Sequence, residues 1–311
     1  MEENTAGAPL RAIVTGANSG LGFQVAAELA RRGAQVVLAC RNEGRGSAAA
    51  ATLRSLTGSL TVESRRLDLA DLGSVRHFAD SYAGPLDLLV NNAGVMATPR
   101  SLTVDGFEQQ LGVNHLGHFA LTGLLLGQLR QSAAPRVVSV SSIAHRRGRI
   151  ERSDLQSERG YRRWRAYSQS KLANLLFTLE LDRRARAAGW PLTAAAAHPG
   201  LARTNLGAGM NLPPGLNVFG VLGRLAGQSD DDGALPILRA ALDAEVRGGD
   251  YYGPGGPGGI RGAPTLVAPA VRVLDPDTAA WLWERSCTLT GVDYAALAEP
   301  SGPDSSAPGV R

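Results

Sequence analysis

Tyr167 and Lys171 stand four residues apart in Ala166-Tyr167-Ser168-Gln169-Ser170-Lys171-Leu172-Ala173-Asn174, and Lys171 is the only lysine among 32 basic residues. The next run, residues 172–181, has helical apolar spacing, which puts both side chains on one face, about 6 Å apart along the axis. Arginine is a planar fork; lysine is a compact point charge on a flexible stem. An ammonium beside a phenol favours the phenolate and is expected to lower its usual pKa of about 10. A strand-like run upstream ends in Val138-Ser139-Val140-Ser141-Ser142, which brings a hydroxyl to a sheet edge. A serine that holds a carbonyl oxygen, with a tyrosine that gives or takes its proton, points to hydride transfer at a carbonyl. Ser-His-Asp hydrolysis fits poorly, because no serine sits in a G-x-S-x-G elbow. The plainer alternative is an arginine-biased chain with one leftover lysine and a core tyrosine.

The elements that must position these groups alternate. An apolar run at residues 10–15 leads into Gly16-Ala17-Asn18-Ser19-Gly20-Leu21-Gly22. A helical pattern through Val25 and Leu29 then stops at Arg31-Arg32-Gly33, and residues 35–40 form the next strand. Glycines in such a turn let backbone approach a pyrophosphate, and the helix behind offers free N–H groups and a positive dipole end. The spacing is G-x-x-x-G-x-G rather than G-x-G-x-x-G. Helices are expected at residues 43–57, 71–82, 105–129 and from about Tyr167 to 188, with strands at 60–67, 86–90, 136–141 and 192–197. That rhythm predicts an α/β fold, a single Rossmann-type doubly wound parallel sheet with helices on both faces.

By the switch-point rule, ligands sit beyond the carboxyl ends of such strands. Strand two ends in Cys40-Arg41-Asn42, strand three in Asp68-Leu69, and strand four in Asn91-Asn92-Ala93-Gly94. An NAD site places a carboxylate after strand two. Arg41 there suits a 2′-phosphate instead, so NADP is expected over NAD, the alternative being a surface arginine. Asp68 and Leu69 offer a carboxylate and an apolar wall to an adenine. Asn114 lies inside the predicted 105–129 helix, where asparagine either bends the helix or offers its amide to a site. His115 and His118 read as surface or packed histidines, since no acidic or cysteine partner makes them metal ligands.

Other features bound the reading. The net charge of +4 is too small to argue for nucleic acid, and Cys40 and Cys287 form neither a disulfide framework nor a metal cluster. Cys287 is expected to be a packed hydrophobe. The acidic, polar start is not a signal peptide, and no run reaches the roughly 18 apolar residues of a membrane span. The expectation is a soluble, cytoplasmic protein with one domain, residues 1–298, and a disordered tail, 299–311. Residues 145–165 hold eight arginines and read as a solvated insert. Residues 201–228, rich in glycine, proline and apolar side chains, read as a lid over a hydrophobic pocket. Asp275-Pro276 reads as an N-cap and first helical turn.

Thr15-Gly16-x-x-x-Gly20-x-Gly22, Asn91-Asn92-Ala93-Gly94, Asn114, Ser142, Tyr167-x-x-x-Lys171 and Pro199-Gly200 together resemble the classical short-chain dehydrogenase/reductase motifs in order, over roughly residues 10–290. Ser141-Ser142-Ile143-Ala144-His145, Asp154-Leu155-Gln156 and Ser170-Lys171-Leu172-Ala173-Asn174 are similar to the retinol-dehydrogenase-like, WW-domain-oxidoreductase-like branch. The resemblance implies an NADP(H)-dependent oxidoreductase acting on CH-OH and C=O groups of a largely apolar small molecule. It implies Tyr167 as acid/base, with Lys171 lowering the tyrosine's pKa and holding the nicotinamide ribose. Ser142 would position the substrate oxygen and Asn114 would hold a relay water. The insert between Ser142 and Tyr167, like that branch's, favours Ser142 over Ser141. Cofactor contacts are implied for Gly16, Asn18, Ser19, Gly20, Leu21, Gly22, Arg41, Asn42, Asp68, Leu69, Asn91, Ala93, Gly94, Tyr167, Lys171, Pro199, Gly200 and Thr204, while Asn92 braces the sheet. Ser19 departs from relatives that carry a basic residue there, so the phosphate argument rests on Arg41. Helices like those of Asn114 and Tyr167 pair between subunits in many members, which implies a homodimer or homotetramer. The alternative of another class is an NADP-binding regulator without turnover.

Overall fold

The computed structural model describes residues 8–201 and 228–297. Eight strands form one sheet in the order β3-β2-β1-β4-β5-β6-β7-β8. They are β1 Arg11–Thr15, β2 Gln35–Cys40, β3 Val62–Arg66, β4 Leu88–Asn91, β5 Arg136–Val140, β6 Thr193–Ala197, β7 Tyr251–Pro254 and β8 Pro264–Leu266. Every pairing from β3 to β7 is parallel, and β8 runs antiparallel to β7. The strand order reverses between β1 and β4, so a ligand crevice opens at their carboxyl ends.

Side-chain alternation along the strands separates two apolar layers. Ala12, Val14, Val36 and Leu38 face α1 (Gly20–Arg31), α2 (Glu43–Thr57) and α8 (Asp230–Leu242). Ile13, Val37, Leu89 and Val137 face α3 (Leu72–Ser81), α5 (Gly117–Leu124), α6 (Leu126–Leu129), α7 (Arg163–Ala187) and α9 (Pro276–Thr290). Asp275 caps α9 by accepting from Asp277 N and Thr278 N, with Pro276 in its first turn as expected. Among the described residues no helix is long and apolar enough to cross a membrane.

Three departures from the sequence reading have physical causes. The sheet gains β7 and β8, and β8 breaks the all-parallel pattern. The single helix expected at 105–129 is instead segmented. Gly106, at φ +82°, makes a turn, and Glu108 then accepts from Gln110 N and Leu111 N to start α4 (Gln109–Leu111). A π-helical turn, Gly112–Leu116, comes next, and Leu125 (φ −94°, ψ 6°) separates α5 from α6. The 145–165 insert is also less solvated than expected. Most of its arginines are exposed, but Leu155 is buried, Gln156 accepts from Glu108 N, and Tyr161 accepts from Gln110 Nε2 and donates to Thr98 O. The 202–227 stretch expected to form the lid, with Thr204, and the expected tail lie outside the described residues.

α9 covers the outer side of α7. Trp283 stacks on Phe177 with centroids 5.9 Å apart, Arg184 lies over the Trp283 ring and pairs with Glu284 at 2.9 Å, and His115 meets Ser286 at 2.9 Å.

Candidate active site

Four segments converge at the carboxyl ends of β1, β4, β5 and β6. α7 delivers Tyr167 and Lys171, 5% and 4% exposed, with the ammonium 5.9 Å from the phenol centroid. Lys171 Nζ donates to Val140 O at 3.0 Å, and Asn174 Nδ2 shares that acceptor at 3.2 Å. The end of β5 is thereby tied to the helix that faces it. Ser141 and Ser142 point in opposite directions, as successive residues of extended chain must. Ser141 donates to Lys171 O at 2.8 Å inside the core, whereas Ser142 lies on the side of the Tyr167 phenol and acts on its titration, and it caps Ile143–Arg147 by accepting from Ala144 N. Ser142 is therefore the hydroxyl on the tyrosine's side.

Burial dominates the titration of both charged partners. The Tyr167 phenol is pushed up by desolvation, with Ser142 pulling it back, so the lowering expected from Lys171 is not the governing effect. Desolvation pushes Lys171 down to about 8. Each charge is costly alone in this site, a setting in which a proton is readily exchanged.

Asn114 sits in the π-turn, fully buried. Its Oδ1 accepts from Val95 N at 2.8 Å, and its Nδ2 donates to Val95 O and Ser170 Oγ at 2.9 Å each. Ser170 donates onward to Tyr167 O. The side chain thus ties the loop after β4 to α7, and its Oδ1 keeps a second acceptor position. Gly94 permits the approach, since a β-carbon there would stand 3.1 Å from Asn114 Oδ1 and 3.4 Å from Lys171 Nζ.

On the cofactor side the glycines of the first turn have distinct reasons. Gly16 takes φ +66° and a β-carbon on it would press on Ala93 at 3.0 Å; on Gly22 it would stand 2.5 Å from Asn92 Nδ2. Asn92 donates to Thr15 O, the expected bracing of the sheet. Ser19 precedes α1 with extended backbone and, among the described residues, makes no side-chain cap, leaving the first-turn N–H groups to an incoming anion. Asn18, Ser19, Gly94 and Arg41 line an open cleft of about 740 Å³, together with Arg45, Phe23 and Thr52. Leu21 is buried in the core behind the turn. Asn42 is exposed and accepts from Arg45 N as the cap of α2, and Asn91 donates to Thr122 Oγ1 while its buried Oδ1 has no partner. Asp68 accepts from Ala70 N and Leu69 packs under Gly117. Pro199 and Gly200 follow the end of β6, where Pro199 O accepts from Gln228 Nε2 and Gly200, at φ +68°, donates its N–H to His198 Nδ1.

Arg45 was missed by the sequence reading. It lies one helical turn after Arg41, a spacing that puts both on the cleft side of α2's start. Among the described residues neither arginine forms an ion pair. Two unpaired guanidiniums at the end of β2, with no carboxylate beside them in the cleft lining, fit a phosphorylated ribose. His118 is packed, within the surface-or-packed expectation, and it joins Asn114 to Thr15 through both ring nitrogens.

Residues 11–213 match the family model for short chain dehydrogenase. Retinol dehydrogenase 12 of Homo sapiens is 44% identical over 290 residues, covering 91% of this chain and 86% of that protein. The crystal structure of an uncharacterized protein from Mycobacterium paratuberculosis is 47% identical, with TM-score 0.77, covering 92% of this chain and 96% of that one. A short chain dehydrogenase from Escherichia coli, solved in complex with NADPH, shares the fold at TM-score 0.59 and 24% identity, over 78% of this chain and 95% of that one.

Proposed function

The chain belongs to the short chain dehydrogenase family, and from that premise we propose that it interconverts a carbonyl and an alcohol on a largely apolar small molecule with NADP(H), Tyr167 acting as acid/base. The observation that carries the reading is the junction of Ser142, Tyr167 and Lys171 at one sheet edge with the Arg41 and Arg45 cleft at the next. The bound nicotinamide would supply or accept the hydride. Gly16, Ser19 and Gly20 would receive the pyrophosphate, Arg41 and Arg45 the 2′-phosphate, and Pro199-Gly200 would lie against the nicotinamide.

The chain's own residues handle the proton. Ser142 holds the substrate oxygen beside the phenol. Tyr167 donates its proton as that oxygen gains charge during reduction and recovers it from the Asn114 side. The Lys171 ammonium stabilises the transient phenolate, an ion pair worth most where water is excluded. Reduction is the direction favoured in a cell that keeps NADPH reduced, and the cytoplasm is the proposed location, to be checked by fractionation. The name of the human relative puts retinaldehyde first among substrates to try. Because α9 packs on α5 and α7, the proposal puts self-association on another face. A cross-link between α7 helices of two subunits would overturn that placement.

The test follows reduced-nicotinamide absorbance with NADPH and then NADH over a panel of apolar aldehydes and ketones. NADPH-dependent turnover that collapses in Tyr167→Phe is expected. Tight NADPH binding without turnover on any panel member would favour the regulator, and absence of nucleotide binding would sink the reading.

A further inference from the structure

Resting on that reading, we propose that His118 is a positioning residue: as the neutral Nδ1–H tautomer it ties the Asn114 carbonyl, on the catalytic side, to the Thr15 hydroxyl, on the cofactor side. The ring is 2% exposed. Its Nδ1 lies 3.0 Å from Asn114 O and its Nε2 2.9 Å from Thr15 Oγ1. A carbonyl only accepts, so Nδ1 carries the proton. Nε2 then presents a lone pair, and Thr15 must donate to it. The two lone pairs of the Thr15 hydroxyl accept from Asn92 N and Ala93 N, both at 2.9 Å. Its approach to Val90 O at 3.4 Å is left as proximity.

With these assignments each of these polar atoms has a partner, and only one tautomer satisfies them all. Burial and the charge of Lys171 hold the ring's pKa down to about 4, so it stays neutral across the physiological range. The π-turn sets up the catalytic end, because Gly117 N closes on Gly112 O five residues back and shifts the ladder around Asn114. The other end fixes Asn92 and Ala93, of which the Ala93 backbone lies against Gly16 and the Asn92 side chain against Gly22. The two halves of the site, one from α7 and the π-turn and the other from β1 and β4, are thus held in register by one imidazole. Loss of the Nδ1 bond frees the Asn114 carbonyl and acts on kcat. Loss of the Nε2 bond loosens Thr15 and acts on cofactor affinity.

The first test is ¹⁵N NMR of the histidine rings of the full chain between about pH 5.5 and 8, with His118 assigned from the His118→Gln spectrum. A non-titrating ring protonated on Nδ1 is expected; protonation on Nε2, or titration near neutrality, would overturn the proposal. The second uses two variants that each keep one half of the link. The amide of His118→Asn reaches the Nδ1 position and that of His118→Gln the Nε2 position. His118→Asn should keep kcat within about threefold and weaken NADPH binding about tenfold, and His118→Gln should do the reverse, on the scale of one orphaned buried hydrogen bond. Equal losses of both quantities in both variants, or loss in neither, would also overturn it. Failure of the wild type to bind NADPH would count against the proposed function and leave the tautomer measurement standing.

Discussion

The chain places positive charge in its site in two opposite ways. Arg41 and Arg45 line an open cleft, with no ion pair among the described residues. Lys171 is 4% exposed and committed to Val140 O. An exposed guanidinium keeps its charge whatever its surroundings, and it acts on what diffuses to it. A buried ammonium is a charge the fold maintains at a cost, and that cost makes its protonation state adjustable. On the proposed function, the first arrangement would select a cofactor and the second would tune a proton transfer. Variants that exchange or remove these features test whether the division holds.

The largest effect is expected where the buried side does chemistry. Tyr167→Phe keeps the ring packed against Trp164 and removes the proton donor, so kcat should fall by about 10³-fold, within the range for general acid catalysis. The NADPH dissociation constant should stay within about twofold. A comparable rise in that constant would mean that Tyr167 belongs to the binding region instead.

Lys171→Met should separate stability from activity. The folded-state pKa of Lys171 is pushed from 10.5 down to about 8. Between those values the unfolded chain binds more protons than the folded one, so wild-type stability should rise with pH across that window. Below about pH 8 the buried ammonium costs on the order of 3 kcal/mol. The Met variant should match or exceed the wild type in Tm at pH 7, lose that advantage toward pH 10.5, and turn over about a hundredfold more slowly. Urea melts of both proteins at pH 7 and 10 check the sign. A Met variant destabilised equally at both would show that the Val140 bond outweighs desolvation.

This buried arrangement was the more legible part of the sequence. Tyr167 and Lys171 declare themselves by helical spacing, Ser142 by its place after an apolar run, and the glycine turn by the helical pattern behind it. Secondary structure was readable wherever period and caps agreed, as in α2 and α9. It failed where tertiary contacts decide. Nothing local marks Tyr251–Pro254 as a strand, since its partners Ala196 and Ala197 lie far back in the chain. The π-turn has no residue pattern that separates it from an α-helix; Asn114 hinted at irregularity, but its cause is the bonds to Val95 and Ser170. His118 reads from the sequence as a surface or packed histidine and is packed, but nothing local shows its bonds to Asn114 O and Thr15 Oγ1, and Arg45 lies past the strand end in no motif of its own.

On the exposed side, Arg41→Ala combined with Arg45→Ala should weaken NADPH binding about thirtyfold through lost charge-assisted contacts. NADH should be barely affected. The proposed preference for NADPH should shrink as salt rises, because open guanidiniums are screened. Equal losses for both nucleotides would show that these residues shape the cleft rather than read a phosphate.

The smallest effect belongs to arginines that share exposure but not position. Arg159 and Arg162 lie in the insert, away from the cleft lining, and both are exposed. Replacing both by alanine removes two charges from a chain of net charge +4, so any role for overall basicity should register. The expectation is no change beyond about twofold in NADPH affinity at about 0.1 M salt, where charges farther off than a Debye length of about 10 Å are largely screened. The insert should hold its place, because its anchors are Gln156, Tyr161 and Leu155. A tenfold loss would mean that the field of the whole arginine set draws the cofactor in, and the contrast between a local clamp and a buried point charge would have to give way to one between a distributed charge and a local one.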